Sequence, residues 1–265
     1  ERDHSGAVNV IVGLVENISE RAALEQLRED LRAMLIHDLR QPLAIIHTAL
    51  GLVAEESLEP AIQQIVRDAL NNAQRQQTLI EAYLDVTRLE AGQMPFVLSA
   101  MSWSSVEQLA QKVLNTVQAT ARRRGLTVRL ELPDPPGADW RIALDQSAIE
   151  RVLLNLLDNA IKFSIHSQQP ITMHLQFDAT GLTIKVIDHG AGIPADKLPT
   201  IFDRFSQVRD GDRIRGTGLG LTFCKLAIEA HEGQITVESA EGQGSTFSVW
   251  LPLTESRDSP QTRRD

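Results

Sequence analysis

The stretch ERVLLNLLDNAIKF, residues 150–163, predicts an amphipathic helix with a polar stripe. One face collects apolar residues at helical spacing, namely Leu153, Leu156, Leu157 and Ala160. Another face collects three polar residues, Asn155, Asn159 and Lys162. Two carboxamides and an ammonium group can face an oxygen-rich ligand such as a metal-bound polyphosphate. An ordinary solvated helix face has the same pattern, so this segment alone leaves both interpretations open.

Two glycine-rich segments follow that helix in the chain. VIDHGAGI, residues 186–193, puts Asp188 at the end of a predicted strand, where a carboxylate can accept a hydrogen bond from a flat ligand. GTGLGL, residues 216–221, opens a predicted helix whose first N–H groups suit phosphate oxygens. It is not a P-loop, because the Gly-Lys-Ser/Thr ending is missing, nor a dinucleotide fingerprint, because no strand directly precedes it. Taken singly, the first segment also fits a plain turn and the second a hinge.

The short segment IFDRF, residues 201–205, lies between the two glycine segments. We expect Phe202 and Phe205 to anchor a loop to the core and Arg204 to point outward. An outward arginine is ordinarily just solvated, but one that reaches a transferring phosphoryl group would offset its charge.

The front of the chain predicts a helical hairpin. Apolar residues recur at helical spacing over residues 24–53 and again from Pro60 to Leu89. The short connection through residues 55–60 favours antiparallel helices. A two-helix hairpin buries too little apolar surface alone, so we expect two copies to form a four-helix bundle.

His37 differs from the other histidines because it lies on a predicted helix, away from the apolar stripe. At about 100° per residue it falls about 150° from the leucine stripe of its helix, so it should project into water. Asp38 follows it, and Pro42 should bend the helix, since proline costs a helix interior about 3 kcal/mol. The carboxylate can hold one imidazole nitrogen protonated and leave the other as a nucleophile.

The back of the chain predicts an α+β domain with helices on one face of a mixed, mostly antiparallel sheet. Its predicted helices are residues 103–123 and 146–163. Its predicted strands are residues 126–132, 171–177, 182–188, 234–239 and 245–251.

Composition excludes several classes of protein. The 265 residues carry a net charge of −9, which argues against duplex nucleic acid as a partner. Cys224 is the single cysteine, so neither an internal disulfide nor a cysteine-based zinc site can form, and we expect a small buried filler. The longest apolar stretch, residues 42–54, is shorter than the roughly 20 residues that span a bilayer. We therefore expect a cytoplasmic fragment without membrane contact, cut from a longer protein whose membrane attachment stays open.

Taken together, the motifs resemble the catalytic core of a two-component sensor histidine kinase, over roughly residues 20–253. HDLRQPL (37–43) resembles the phosphoacceptor box and NLLDNAIKF (155–163) the N-box. DHGAGI (188–193) and GTGLGL (216–221) resemble the two glycine boxes, with IFDRF as the phenylalanine box between them. The resemblance implies a dimerisation and histidine-phosphotransfer hairpin followed by an ATP-binding domain of the kind shared with gyrase, Hsp90 and MutL.

The resemblance also implies roles for individual residues toward ATP and Mg²⁺. Asn159 would bind the metal with Asn155 beside it, and Lys162 and Arg204 would contact phosphate. Asp188 would accept from the adenine amino group, with Thr246 supporting that side of the pocket. The nucleotide loop and lid would be shaped by Gly190, Gly192, Gly216, Gly218, Leu219 and Gly220. His37 would attack the γ-phosphorus with Asp38 as orienting base, and the phosphoryl group would pass to a response regulator receiver domain.

The resemblance implies that the chain divides into four parts. Residues 1–18 resemble the end of a PAS-like sensor domain and linker, and residues 19–93 form the hairpin, which acts as a homodimer. Residues 94–253 form the catalytic domain and residues 254–265 a polar tail. A hinge is expected at residues 92–95.

One residue departs from the family's phosphoacceptor motif, and two other functions are weighed beside this assignment. Gln41 stands where relatives often carry Thr or Asn, which puts phosphatase activity toward the regulator in doubt. An ATP-hydrolysing clamp of the gyrase type would release phosphate without forming a phosphoprotein. A non-catalytic dimeric scaffold would not bind Mg-ATP.

Overall fold

The computed structural model describes residues 43–51, 53, 59–137, 139–164, 169–206 and 218–253, and the backbone alone at 209–210 and 213–214. Residues 1–18, His37, Asp38, Gln41, Gly216 and the tail lie outside these ranges. The chain divides into two compact units, Glu1–Ile80 and Glu81–Asp265.

The first unit contains the helical hairpin that the sequence predicts. Helix α1 is described over residues 43–51 and at residue 53, and α2 runs from Pro60 to Glu90, beyond the unit's end. Proline suits the first position of a helix because its missing N–H has no intrahelical partner there. Val66 and Ala73 are buried. Large aliphatic side chains nevertheless remain exposed on these helices, namely Ile45, Ile46, Val53, Ile62 and Ile65.

The second unit is built on a five-stranded sheet in the order β2-β4-β5-β9-β8. The strands are β2 (Val128–Glu131), β4 (Ile171–Phe177), β5 (Gly181–Asp188), β8 (Gln234–Ser239) and β9 (Ser245–Pro252). Only β2 and β4 pair in parallel, so the sheet is mixed and mostly antiparallel, as predicted. Two shorter ladders, β1 (Ser99–Ser102) with β3 (Arg141–Leu144) and β6 (Arg209–Asp210) with β7 (Arg213–Ile214), complete the described strands.

Three helices cover one face of this sheet and make the core. They are α3 (Trp103–Arg123), α4 (Gln146–Phe163) and α5 (Gly220–Ala230). Alternate residues of β5 and β9 are buried, as expected where one face of a sheet packs on helices and the other stays accessible. The predicted fold class is thereby confirmed, and the predicted bounds of α3 and α4 agree with the structure.

The last turns of α2, from Glu81 onward, belong to the second unit and pack in its core. Val86 is fully buried, and the Asp85 carboxylate pairs with the guanidinium of Arg151 on α4. That guanidinium also lies 3.9 Å from the ring centroid of Phe223 on α5. Helix α2 ends as glycine-terminated helices commonly do: the Gly92 N–H donates to the Leu89 carbonyl and the Gln93 N–H to the Arg88 carbonyl. The boundary at residues 93–94, drawn where the sequence pattern changes, stays a prediction.

His231 has a structural role that the sequence pattern did not indicate. It is 6% exposed, and its Nε2 accepts from the Asp145 N–H at 3.0 Å. The proton therefore sits on Nδ1, which donates to the Ala227 carbonyl at 2.6 Å. Asp145 is the N-cap of α4, with its carboxylate accepting from the N–H groups of Ala148 and Val97. One buried imidazole thus joins the end of α5 to the start of α4.

We expect His231→Ala to lower the free energy of unfolding by about 1–3 kcal/mol, because the Asp145 N–H and the Ala227 carbonyl lose their buried partner. Urea denaturation measures the change. His174→Ala is the matched control, since His174 lies near the surface and its imidazole pairs with the exposed Glu131. We expect a change within about 0.5 kcal/mol. Equal stabilities for the two variants would contradict the role of His231.

No helix in the described ranges is both long and apolar enough to cross a bilayer.

Candidate functional site

Helix α4 carries the polar stripe that the sequence predicts. Asn155, Asn159 and Lys162 are half-buried, whereas Leu153, Leu156, Leu157 and Ala160 are buried in the core. The apolar side chains fix the rotation of the helix on the sheet, so the polar stripe faces away from the core. Its amide oxygens and ammonium group are suited to a phosphate ligand with a hard cation.

The loop after β5 lies against the C-terminal end of α4. A β-carbon at Gly190 would lie 2.3 Å from the Phe163 carbonyl oxygen, so only glycine allows this approach. The Ala191 N–H donates to the same carbonyl at 3.3 Å. A β-carbon at Gly192 would lie 2.0 Å from the Ala240 carbonyl oxygen. The first glycine segment is thereby held beside the polar stripe.

Asp188 begins this loop and is 5% exposed. Burial raises the pKa of its carboxyl group, and hydrogen bonds from Gly190 and Ser245 partly oppose that rise. The Gly190 N–H donates to Oδ1 at 2.8 Å, which fixes the carboxylate. A buried, oriented carboxylate with a raised pKa is typical of a ligand-binding position.

Asp188 and Thr246 both line a cavity of about 310 Å³. Thr246 lies opposite Ile187 in the β5–β9 ladder, and Asp188 lies opposite Ser245. The Ser239 hydroxyl accepts from the Ile193 N–H at 2.9 Å and donates to the Gly244 carbonyl at 2.7 Å. These bonds tie the edge of the cavity to the first glycine segment.

The second glycine segment leads into α5 beside Asn155. Leu219 is fully buried, and a β-carbon at Gly220 would lie 3.5 Å from the Asn155 Oδ1. On the next turn of α5, Cys224 is fully buried, as expected for a small filler, and its S–H donates to the Val152 carbonyl at 3.7 Å. Burial raises the pKa of the Cys224 thiol to about 12, so the sulfur is protonated at neutral pH.

The phenylalanine segment interlocks with the second glycine segment. The Phe205 N–H donates to the Gly218 carbonyl at 2.9 Å, and a β-carbon at Gly218 would lie 2.6 Å from the Phe205 Cα. Phe202 packs edge-on to Phe247, as expected for an anchor. Phe205 does not: it is 56% exposed, has φ = 59° and stacks on Tyr83. The expectation that both rings anchor the loop to the core is therefore wrong for Phe205.

Arg204 is held by an ion pair with Glu90, the last residue of α2. Its Nε donates to Oε1 of that carboxylate at 2.7 Å, and its Nη2 contacts the other oxygen. This partner lies 114 positions away in the sequence. No sequence signal pointed to it.

Of the described candidate residues, Gly190 lies against the C-terminal end of α4 and Gly220 lies beside Asn155. Asp188 and Thr246 line the cavity at the end of β5 and the start of β9. Glu90 and Ser245, which interact with Arg204 and Asp188, were not among the predicted site residues.

Two protein families match the chain. The family described as the histidine kinase-, DNA gyrase B- and HSP90-like ATPase matches residues 144–255. The family described as the His kinase A (phospho-acceptor) domain matches residues 27–92.

Curated relatives and solved structures agree with these matches. Alginate biosynthesis sensor protein KinB of Pseudomonas aeruginosa is 34% identical over 259 residues, 94% of this chain and 41% of KinB. Circadian input-output histidine kinase CikA of Thermosynechococcus vestitus is 33% identical over 245 residues, 90% of this chain and 33% of CikA. The chain therefore spans less than half of either relative. The crystal structure of full-length ShkA in complex with AMPPNP shares the fold, with a TM-score of 0.72 and 23% identity over 86% of this chain and 46% of ShkA.

Proposed function

This chain belongs to the two-component sensor histidine kinases and contains their catalytic core, and from that premise we propose that it transfers the γ-phosphoryl group of ATP to His37. The observation that carries the proposal is the α4 stripe of Asn155, Asn159 and Lys162 beside the Asp188 loop. Phosphoryl transfer depends mainly on positioning and electrostatic stabilisation, which such an arrangement can supply.

We assign the adenine end of the nucleotide to Asp188 and Thr246. A buried carboxylate can accept a hydrogen bond from the adenine amino group, and the cavity of about 310 Å³ that these residues share has room for a planar ring. The phosphates would then extend along α4 toward the start of α5. Lys162 would contribute positive charge there, as would Arg204 once it leaves Glu90. Gly190, Gly192, Gly216, Gly218, Leu219 and Gly220 would shape the loops around the nucleotide.

The side chains on α4 fit Mg²⁺. Mg²⁺ takes oxygen ligands and is commonly held by one or two protein side chains together with substrate phosphates. Asn159 and Asn155 offer carboxamide oxygens on one half-buried face, and the Oδ1 of Asn155 is directed toward Gly220. When bound, the metal would offset negative charge on the phosphates.

His37 would act as the nucleophile. Its imidazole nitrogen would form a bond to the γ-phosphorus while the bond from that phosphorus to the β,γ-bridging oxygen breaks, which leaves ADP. Asp38 would keep the other ring nitrogen protonated and orient the ring. The phosphoryl group would then pass to an aspartate of a response regulator receiver domain. We expect Gln41, which stands where relatives often carry Thr or Asn, to weaken dephosphorylation of the regulator.

We further propose that the working form is a homodimer. Ile45, Ile46, Val53, Ile62 and Ile65 are exposed on α1 and α2 of a single chain. Exposed aliphatic side chains on a hairpin are expected to be covered by a second copy in a four-helix bundle. Because the reaction consumes ATP, we expect this part of the protein to work in the cytoplasm. The assignment of residues 1–18 to a PAS-like domain stays a prediction.

The pH dependence of ATP binding should report the state of Asp188. Its carboxyl pKa is raised, so the protonated form persists to a higher pH than for an ordinary aspartate. The protonated group no longer offers the charged acceptor, so we expect affinity for Mg-ATP to be full above the raised pKa and to be lost as pH falls through it. Calorimetric titrations over a pH series measure this. The Asp188→Asn variant should bind Mg-ATP weakly, with little pH dependence over the same range. If this variant keeps the wild-type pH profile of affinity, Asp188 does not bind adenine.

Labelling with ATP carrying a radioactive γ-phosphate tests the function as a whole. A histidine kinase yields an acid-labile, alkali-stable phosphoprotein. The two rival functions give other results: an ATP-driven clamp releases free phosphate without labelled protein, and a scaffold with a vestigial pocket fails to bind Mg-ATP.

A further inference from the structure

One hydroxyl group joins the first glycine segment to the turn between β8 and β9. Ser239, the last residue of β8, accepts a hydrogen bond from the Ile193 N–H at 2.9 Å. It donates to the Gly244 carbonyl at 2.7 Å, and the Ser245 hydroxyl lies 3.0 Å away. A serine hydroxyl has one hydrogen, so Ser239 accepts from Ser245 as well as from Ile193. The one donor position and both acceptor positions of this hydroxyl are therefore used.

Backbone contacts hold the same turn, residues 240–244, against the glycine segment. The Gly242 N–H donates to the Ala191 carbonyl at 2.7 Å. A β-carbon at Gly244 would lie 2.1 Å from the Asp188 carbonyl oxygen, so the turn also lies against the start of the segment. These contacts are made by backbone groups, whereas Ser239 contributes a side chain that a substitution can remove.

The direction of the Asp188 carboxylate depends on this segment. Its Oδ1 accepts from the Gly190 N–H at 2.8 Å, and Gly190 lies between Asp188 and Ile193 in the chain. The near end of the segment is fixed by the β5–β9 ladder, and its far end is held where the Ile193 N–H meets Ser239. Loss of the far anchor would let the segment shift, and the Gly190 N–H would shift with it.

We propose that Ser239 is a positioning residue for recognition of the nucleotide base, because by holding Ile193 and Gly244 it keeps the Asp188 carboxylate directed at the adenine amino group. This inference rests on the proposed function, in which Asp188 binds adenine. Ser239 lines the same cavity, but its hydroxyl has no hydrogen-bonding position left for a ligand, so it acts through Asp188. Simple space filling needs no hydroxyl at residue 239, whereas positioning needs both its donor and its acceptor capacity.

Two nucleotides that differ in one amino group test this role. Purine riboside triphosphate lacks the 6-amino group that ATP carries. We expect the wild-type protein to bind ATP at least about tenfold more tightly than this analogue, since a hydrogen bond to a charged group is the stronger kind. In Ser239→Ala the ratio of the two affinities should shrink to about threefold or less, because a misdirected carboxylate loses most of that bond. Ser239→Thr keeps the hydroxyl and should restore most of the ratio. Calorimetry with Mg²⁺ present measures both affinities.

The ratio of affinities separates positioning from stability. Both nucleotides bind only the folded protein, so a substitution that merely destabilises the fold lowers both affinities by the same factor. Ser248→Ala is the matched control, since Ser248 is a half-buried serine of β9 on the accessible face of the sheet, and its ratio should equal that of the wild type. If alanine at residue 239 prevents folding, Ser239→Cys replaces it, because a thiol of similar size is a weak donor and a weak acceptor.

The outcomes distinguish this inference from the function on which it rests. A Ser239→Ala protein that keeps the wild-type ratio, or a Ser239→Thr protein as unselective as the alanine variant, would overturn the role of Ser239 alone. A wild-type protein that binds both nucleotides equally well would instead overturn the assignment of adenine to Asp188, and the positioning role with it.

Discussion

Replacement of His37 by glutamine is expected to reduce incorporation of the γ-phosphate to background while Mg-ATP still binds with wild-type affinity. Glutamine has no nitrogen lone pair that can form a stable bond to phosphorus, and His37 lies in a different sequence motif from the residues assigned to the nucleotide. Radiolabelled ATP measures phosphorylation, and calorimetry measures binding. The two readouts together separate loss of the nucleophile from loss of the pocket.

The control for His37 is His47, a histidine of α1 within the described residues. We expect His47→Gln to label like wild type. Stable labelling of the His37→Gln protein would show that another residue accepts phosphate and would overturn the assignment of the nucleophile.

Replacement of Asn159 by alanine should abolish both ATP binding and phosphorylation. Asn159 supplies the proposed metal-binding oxygen on α4, and removal of one preorganised electrostatic group from an active site commonly lowers the rate by about 100-fold or more. The loss of binding should be measurable in the same calorimetric assay, so this variant differs from His37→Gln in the binding readout.

Asn115→Ala is the matched control for Asn159→Ala. Asn115 lies on α3 of the same unit and is exposed, and its side chain accepts from the Gln111 side chain at 3.0 Å. Its loss should leave affinity and labelling unchanged. If Asn159→Ala behaves like this control, α4 is not the metal-binding helix.

The catalytic domain was predictable to the extent that its elements are long and periodic. Helices α3 and α4 have strong apolar periodicity, and strands β4, β5, β8 and β9 alternate or form continuous apolar runs bounded by turn residues. Strands β1 and β3 were missed because their sequences, SAMS and RIAL, do not alternate apolar with polar residues. Their pairing is set by tertiary contacts rather than by local preference.

The candidate site was likewise predictable from the sequence only in part. The stripe of Asn155, Asn159 and Lys162 follows from helical spacing. The pairing of Arg204 with Glu90, in contrast, joins residues 114 positions apart. The pairing of Asp145 with His231 joins residues 86 positions apart. The exposure of Phe205 could not be predicted either, since the residue is apolar and its position depends on a left-handed backbone and on the Tyr83 ring. Residue types indicate chemistry, but only the folded chain determines which partner each group has.

Arg204 is already paired with Glu90. An incoming anion must therefore displace a carboxylate that already satisfies the guanidinium. The net gain in binding free energy is the difference between two similar interactions. A weakly charged anion would lose that competition, and a highly charged one would win it. Because Glu90 is the last residue of α2, each such exchange also releases the end of that helix from the loop that carries Arg204.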